Sequence, residues 1–188
     1  EGQILFTYLH LAADPIQADG LMRSKCHAIA YETITDNKGT LPLLAPMSEI
    51  AGRLAVFEGA YHSKKTSGGP GSLISGVPGV KPSKVVILGG GMVGTNAAHM
   101  AAGVGADVTI FDKSIDRLRY LNDIFGNSAK VLYSEKVTLE EQLSDADLVI
   151  GAVLIPGASA PKLIEKEFLT KMKKNAVLVD VAIDQGGC

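Results

Sequence analysis

Residues 84–94 read KVVILGGGMVG, an apolar, largely β-branched run that leads directly into a cluster of glycines. The run 84–88 predicts a buried strand, and the alanine-rich residues 92–104 predict the helix that follows it. Between them, residues 89–94 fit the pattern G-x-G-x-x-G, which joins a strand to a helix around a pyrophosphate. The stretch therefore predicts the phosphate loop of a dinucleotide-binding fold.

The three glycines of this pattern have separate tasks. Gly89 permits the tight turn, Gly91 lets the backbone approach the phosphates, and Gly94 lets the helix and the strand pack closely. The start of the helix, at Met92 and Val93, would present unpaired N–H groups and a positive dipole end to the ligand. A chance cluster of glycines at a turn is the alternative interpretation.

An acidic residue completes the pattern about 20 residues further on. Asp112 ends the next predicted strand, where a carboxylate accepts hydrogen bonds from ribose hydroxyls. Since a carboxylate there would repel a 2′-phosphate, the residue favours NAD over NADP. The alternative is that Asp112 only caps the following helix. Arg117, one turn into that helix, would either modify the preference or be an ordinary solvated arginine.

Strands and helices alternate through the whole second half of the chain. Beyond the phosphate loop, the predicted strands are 107–111, 130–132, 148–151 and 176–181, and the predicted helices are 114–125, 138–143 and 166–172. This alternation predicts right-handed crossovers and a parallel sheet covered on both faces. The fold class is therefore α/β, a Rossmann-type doubly wound parallel sheet.

The first half of the chain predicts part of a second α/β domain. Its predicted strands are 4–9 and 28–33, and its predicted helices are 15–25 and 46–63. A segment rich in Gly, Ser and Pro follows. We therefore expect residues 1–45 to be part of a substrate domain, 46–83 to be a connecting helix and linker, and 84–188 to be the NAD-binding domain.

Composition excludes several classes of protein. Of 188 residues 46% are hydrophobic, and the net charge of −2 is unlike that of a nucleic-acid-binding surface. No apolar run approaches the length of about 20 residues that a membrane span requires. Cys26 and Cys188 form neither a disulfide framework nor a zinc pattern, which favours a reduced, cytoplasmic protein without a metal. Because the chain lacks an initial Met and both ends adjoin apolar runs, we expect a piece of a longer protein.

Several longer strings resemble the alanine dehydrogenase family, and together they cover essentially the whole chain. They are far more specific than the glycine loop. The strings are FTYLHLAA (6–13), IAYET (29–33), LPLLAPMSEIAGR (41–53), GVPGV (76–80), LIPGA (154–158) and VDVAIDQGGC (179–188).

The resemblance implies reversible, NAD-dependent oxidative deamination of L-alanine to pyruvate and ammonia. A hydride leaves the α-carbon for the nicotinamide, water attacks the resulting iminium, and ammonia leaves. It also implies a homo-oligomer, commonly a hexamer, with the helix 46–63 as a candidate interface element. The family's substrate-binding lysine and arginine belong to a segment before residue 1, so the carboxylate clamp for alanine is expected outside this chain.

The resemblance also assigns site residues. His10 matches the catalytic histidine and Asp184 the catalytic aspartate, roles that suit residues able to transfer protons at strand ends. Arg117 matches a basic residue near the adenosine ribose. Further positions that match the cofactor site are Ser48, Ser134, Val153, Leu154 and Val181.

Other interpretations of these residues remain open. His10 alone would be a structural histidine at a strand end, and Asp184 alone a helix N-cap, with Asp180 as its competitor. Two other functions also fit a Rossmann unit. One is the NAD-binding subunit of a proton-translocating nicotinamide nucleotide transhydrogenase, and the other is a binding module without turnover.

Overall fold

The computed structural model describes residues 2–11, 14–153, 161–183 and 186–188. The chain divides into two compact units, Glu1–Ser48 and Glu49–Cys188, which we call the first and the second unit. None of the helices in the described part of the chain has the length and apolar character that a membrane span needs.

The first unit is built on two parallel strands joined by a helix. Strands β1 (Ile4–Thr7) and β2 (His27–Ala30) pair in register along their whole length, with helix α1 (Pro15–Ser24) between them. Asp14 caps α1 by accepting a hydrogen bond from the N–H of Gln17 at 2.9 Å. Pro at the first helical position and Asp at the cap are typical of a helix start.

Both strands of the first unit are shorter than predicted, for a physical reason. Beyond Thr7, the N–H of Leu9 donates to the Glu32 carboxylate instead of to a neighbouring strand. After Ala30 the chain enters a 3-10 turn, Tyr31–Thr33, in which the Thr33 hydroxyl donates to the Ala30 carbonyl at 2.8 Å. Side-chain hydrogen bonds to the backbone therefore end the ladder on both strands.

Helix α2 (Ala45–His62) lies within one residue of its predicted bounds. Its large apolar side chains do share a face, but that face is exposed: they are Ile50, Leu54, Phe57 and Tyr61. The buried face carries the small residues Gly52, Ala55, Val56 and Gly59. A Cβ on Gly59 would lie 2.5 Å from the Leu148 side chain, so the close approach of the helix requires small residues. Ala55 and Val56 belong to the core of the second unit.

The second unit is a five-stranded, fully parallel sheet, which confirms the predicted α/β fold class. Its strands are β3 (Lys84–Leu88), β4 (Asp107–Asp112), β5 (Lys130–Tyr133), β6 (Leu148–Gly151) and β7 (Val177–Asp180), and its helices are α3 (Met92–Gly103), α4 (Ile115–Phe125) and α5 (Lys136–Ser144). The spatial order is β5-β4-β3-β6-β7. Strand order therefore reverses between β3 and β6, and a crevice for ligands forms at the carboxyl ends of strands at such a point.

The three central strands, β3, β4 and β6, are buried on both faces, as near-continuous apolar strands require, whereas the edge strands β5 and β7 are only partly buried. Val85, Ile87 and Ile110 are fully buried in one core, which contains the alanines of α3. A second core contains Leu139 and Leu143 of α5. The predicted helix 166–172 is instead a run of 3-10 turns, Lys166–Lys171.

Candidate functional site

The glycine loop lies at the carboxyl end of β3, and its first and last glycines are required by the fold itself. Gly89 has a φ of +99°, a left-handed conformation that favours glycine. A Cβ on Gly94 would lie 1.8 Å from the Gly89 carbonyl oxygen. These contacts agree with the predicted tasks of a tight turn and of close packing between helix and strand.

Gly91 differs, because packing within the protein does not require it. A Cβ built on Gly91 would meet no atom of the described residues within 4 Å. Gly91 is the N-cap of α3, and within the described chain no side chain caps that helix start. The first N–H groups of the helix, at Met92 and Val93, have no partner within the helix. Open space beside unpaired amides suits an approaching phosphate.

Asp112 ties the end of β4 to the glycine loop. Its Oδ2 accepts a hydrogen bond from the N–H of Gly90 at 2.8 Å, and its Oδ1 accepts one from the N–H of Ser114 at 2.8 Å. The N-cap of α4 is Ser114, whose hydroxyl accepts from the N–H of Arg117. Since each carboxylate oxygen can accept more than one hydrogen bond, Asp112 can also bind a ribose hydroxyl.

Arg117 is half-buried and braces the glycine loop. Its Nε donates to the Gly90 carbonyl, and its Nη2 donates to the Thr95 hydroxyl at 2.7 Å. The guanidinium lies 4.7 Å from the centre of the Tyr120 ring, and Thr95 itself donates to the Gly90 carbonyl at 3.1 Å. Gly90 is therefore held at its N–H by Asp112 and at its C=O by Arg117 and Thr95. Arg117 is not a freely solvated side chain.

Three further predicted cofactor residues lie along the same carboxyl edge of the sheet. Ser134 follows β5 and lines a cleft of about 190 Å³, together with Lys113 and Leu139. Val153 follows β6, and its side chain lies beside Gly89. Val181 follows β7, with its N–H donating to the Gly151 carbonyl at 2.9 Å.

The other predicted site residues belong to the first unit or lie outside the described residues. Ser48 lies in the first turn of α2 and is half-buried, and it is assigned to the first unit. Leu154 and Asp184 lie outside the described residues. Asp180, the competitor of Asp184, accepts backbone hydrogen bonds from Ala182 at 3.0 Å and Cys188 at 2.9 Å, which is a structural arrangement.

Cys188 does not have the character of a nucleophile. Burial, followed by the charge of the neighbouring Asp180 carboxylate, raises the pKa of its thiol to about 12. A thiol with such a pKa is protonated at neutral pH, whereas the thiolate is the reactive form.

His10 lies three residues beyond the end of β1, in an unusual backbone conformation. Its φ is +48°, which is rare for a residue other than glycine. The Tyr8 hydroxyl lies 3.1 Å from His10 Nδ1, and the two rings stack with centres 5.6 Å apart. The N–H of His10 donates to Oε1 of Glu32 at 2.8 Å. Sequence reasoning missed Glu32, although an acid directly after the apolar residues 29–31, within the predicted strand 28–33, was a visible signal.

Comparisons with known protein families match both units. A family model described as "Alanine dehydrogenase/PNT, N-terminal domain" matches residues 1–51, and one described as "Alanine dehydrogenase/PNT, C-terminal domain" matches residues 55–188.

Curated relatives extend the match along the chain. The chain is 57% identical over 187 residues to the alanine dehydrogenase of Halomonas elongata, covering 100% of this chain and 50% of that protein. It is also 57% identical over 187 residues to the alanine dehydrogenase of Bacillus subtilis, covering 100% of this chain and 49% of that protein. The chain therefore spans about half the length of the curated relatives it matches.

Two solved structures superpose on the chain, one at high and one at low sequence identity. A structure named L-alanine dehydrogenase superposes with a TM-score of 0.92 at 54% identity, covering 100% of this chain and 52% of the other. A transhydrogenase from Sinorhizobium meliloti superposes with a TM-score of 0.80 at 23% identity, covering 98% of this chain and 54% of the other. At that lower identity the likeness shows a shared fold alone.

Proposed function

Since the chain belongs to the alanine dehydrogenase/PNT family, we propose that the full-length protein containing it oxidises L-alanine with NAD to pyruvate and ammonia. The observation that carries the proposal is the 57% identity, along the chain, to proteins named alanine dehydrogenase. The transhydrogenase is the more distant neighbour, which makes that function the second candidate.

The second unit is the proposed NAD-binding domain, and the first unit the proposed part of the substrate domain. The open space at Gly91 and the uncapped start of α3 suit the pyrophosphate. Asp112 would accept a hydrogen bond from the ribose and would repel a 2′-phosphate, so NAD is preferred to NADP. Ser134 and Val153 lie at the same edge of the sheet and would contact the rest of the ligand. When bound, NAD supplies the acceptor for the hydride.

His10 is the proposed proton-transfer residue. Alanine, water and NAD give pyruvate, ammonium, NADH and one proton, so a base is needed when water adds to the α-carbon. An imidazole can both accept and donate a proton, which suits this task. A hydroxyl that donates to Nδ1, as Tyr8 can, stabilises the tautomer with its proton on Nε2. Asp184 is the second proposed catalytic residue, on the family resemblance.

Alanine-dependent formation of NADH by the full-length protein tests the proposal. We expect His10→Ala to lower kcat at least about a hundredfold, the usual contribution of a positioned acid or base. NADH affinity should change little. His27→Ala is the matched control, because His27 is an exposed histidine on β2 of the same unit.

Other outcomes separate the other candidate functions. Hydride exchange between nicotinamide nucleotides without any response to alanine would support the transhydrogenase function. NADH binding without turnover of either kind would support a binding module. A small effect of His10→Ala, or one confined to NADH affinity, would return His10 to a structural role.

Assembly into a homo-oligomer, commonly a hexamer in this family, stays a prediction. The exposed apolar face of α2 defined above is the interface we propose for it. Light scattering on the full-length protein, compared with a Leu54→Glu variant, would test it. A parent protein that is monomeric would contradict it.

A further inference from the structure

Glu32 is the only charged residue that is buried in the described part of the chain, with 8% of its surface exposed. It lies in the 3-10 turn that follows β2. Because removing a charge from water is costly unless the charge is hydrogen-bonded, a buried carboxylate requires compensating partners.

Those partners are two consecutive backbone N–H groups beyond the end of β1. Oε1 of Glu32 accepts from His10 at 2.8 Å and from Leu9 at 3.1 Å, and Oε2 accepts from Leu9 at 3.2 Å. The strand register ends with Thr7 opposite Ala30. The carboxylate therefore takes the place of the strand partner that these amides no longer have.

Glu32 remains ionised in this position. Burial raises the pKa of Glu32. Backbone hydrogen bonds, of which that from His10 has the largest effect, together lower it by more than burial raises it, so the pKa of Glu32 lies below its usual range. A charged acceptor binds N–H groups more strongly than a neutral one does.

The peptide group between Leu9 and His10 is held at both of its polar atoms. Its N–H donates to Glu32, as above, and its carbonyl accepts from the side-chain amide of Gln17 at 2.9 Å. That peptide forms one side of the N–Cα bond of His10, so anchoring it constrains the left-handed backbone of this residue, whose φ is +48°. Such a conformation persists only where the surroundings hold it. The same backbone places the His10 ring against Tyr8.

We propose that Glu32 is a positioning residue: its carboxylate holds the Leu9–His10 peptide so that the His10 imidazole is placed for proton transfer. This inference rests on the proposed function of His10. Glu32 acts through the backbone of His10 and needs no contact with the substrate.

Kinetics of the full-length protein test the inference. Glu32→Ala should lower kcat for alanine by about ten- to a hundredfold, the cost of a slightly misplaced catalytic group. NADH affinity should be unchanged. Glu32→Gln keeps an oxygen that can accept from both amides, so it should lose less activity. Asp19→Asn is the matched control, an exposed acid of the same unit that pairs with Arg23.

A double-variant comparison separates positioning from a general role in folding. If Glu32 acts through His10, Glu32→Ala should cause no further loss of kcat in a His10→Ala background. An equal loss in both backgrounds would overturn the inference. If Glu32→Ala fails to fold, Gln17→Ala provides the same comparison, because it releases the carbonyl of the same peptide. We expect a smaller loss of kcat from this variant.

The remaining outcomes distinguish the two claims. If His10→Ala abolishes turnover while the Glu32 and Gln17 variants turn over alanine like the parent, the inference alone is wrong. If His10→Ala keeps full turnover, the proposed role of His10 is wrong, and the inference fails with it.

Discussion

At the scale of single residues, Asp112 combines two functions in one carboxylate. It holds the N–H of Gly90 and is the proposed acceptor for the ribose. Asp112→Ala should weaken NADH binding by about ten- to a hundredfold, since hydrogen bonds to a charged group contribute about 1.5–3 kcal/mol. Fluorescence titration with NADH measures this. Asp123→Ala, an exposed acid on α4, is the control. Unchanged affinity in the Asp112 variant would refute the assignment.

We expect Asp112 also to determine the discrimination between NADH and NADPH. Asp112→Gly removes the negative charge that would repel a 2′-phosphate, so the ratio of the Kd values for NADPH and NADH should fall. Competitive titration of both nucleotides measures the ratio. A ratio equal to that of the parent would assign cofactor preference to other residues.

Residues that follow a known spacing could be predicted, whereas the hydrogen bonds that side chains make to distant backbone atoms could not. Gly89, Gly94 and Asp112 occur at fixed spacings around one turn, so the sequence alone indicated them. Glu32 and Arg117 bind backbone atoms 22 and 27 residues away. Which carbonyl or amide lies within reach of such a side chain is set by the tertiary fold, so spacing could not indicate these contacts.

At the scale of elements, the loop and α3 allow binding and stability to be separated. Gly91→Val should leave a folded protein, because its Cβ would meet none of the described atoms within 4 Å. NADH binding should be lost, since the branched side chain would occupy the phosphate position. Calorimetric titration tests this, and binding like that of the parent would move the phosphate site elsewhere.

Gly94→Ala is the counterpart with the opposite expectation. Its Cβ would lie 1.8 Å from the Gly89 carbonyl oxygen, so α3 and β3 must move apart. We expect the free energy of unfolding to fall by about 1–3 kcal/mol, as for other overpacked sites. Thermal unfolding of the two variants measures the difference. A Gly94→Ala protein as stable as the parent would show that the loop adapts freely.

A charged cluster at the opposite, amino edge of the sheet introduces a pH dependence. Asp145 accepts hydrogen bonds from Lys84 and Lys173, and these lower its pKa to about 2. A carboxyl whose pKa is lower in the folded state stabilises the protein above its unfolded pKa, about 3.9. That stabilisation is lost as pH falls from about 4 toward 2.

Asp145→Asn should therefore be less stable than the parent at pH 7, by no more than about 1 kcal/mol because the side chain is half-exposed. The difference should disappear at the acid end of that range. Thermal unfolding at several pH values measures it. Asp116→Asn is the control, since that carboxylate is 92% exposed and pairs with Arg119. A difference independent of pH would contradict the electrostatic origin.

The helices and strands also show that hydrophobic periodicity alone does not predict which face of a helix is buried. The second-half strands were predictable because each is a short apolar run between turns. On α2, however, the large apolar stripe is exposed and the small residues are buried. Periodicity identifies a helix and its faces, whereas the distance to the neighbouring element selects which face is buried. The spacing of the small residues Gly52, Ala55 and Gly59 was the feature of the sequence that indicated the buried face.

At the scale of the whole molecule, the two units differ in how much of a core they contain. The second unit has a five-stranded sheet with a core on each face. The first has two strands, and large apolar side chains such as Ile4, Phe6 and Ile16 are 57–82% exposed. Two strands alone are marginally stable, and open edges promote aggregation.

We therefore expect residues 1–188 alone to bind NADH but not to turn over alanine. The resemblance leads us to expect the residues that grip the alanine carboxylate outside residues 1–188, and such positioning can supply up to about 7–11 kcal/mol of the barrier. NADH fluorescence and alanine-dependent reduction of NAD, measured in one sample, test this. Limited proteolysis should cleave the first unit before the second. Robust turnover would show that the carboxylate clamp is built from residues within the chain.

The grip on Gly90 has a thermodynamic consequence. Because its N–H is held by Asp112 and its C=O by Arg117 and Thr95, the loop loses conformational entropy when the chain folds, before any ligand arrives. Ordering a mobile loop on binding would subtract from affinity. Here little of the free energy of the phosphate contacts has to offset ordering of the loop, so these contacts contribute almost fully to the affinity. This preorganisation depends on three side chains that lie outside the loop.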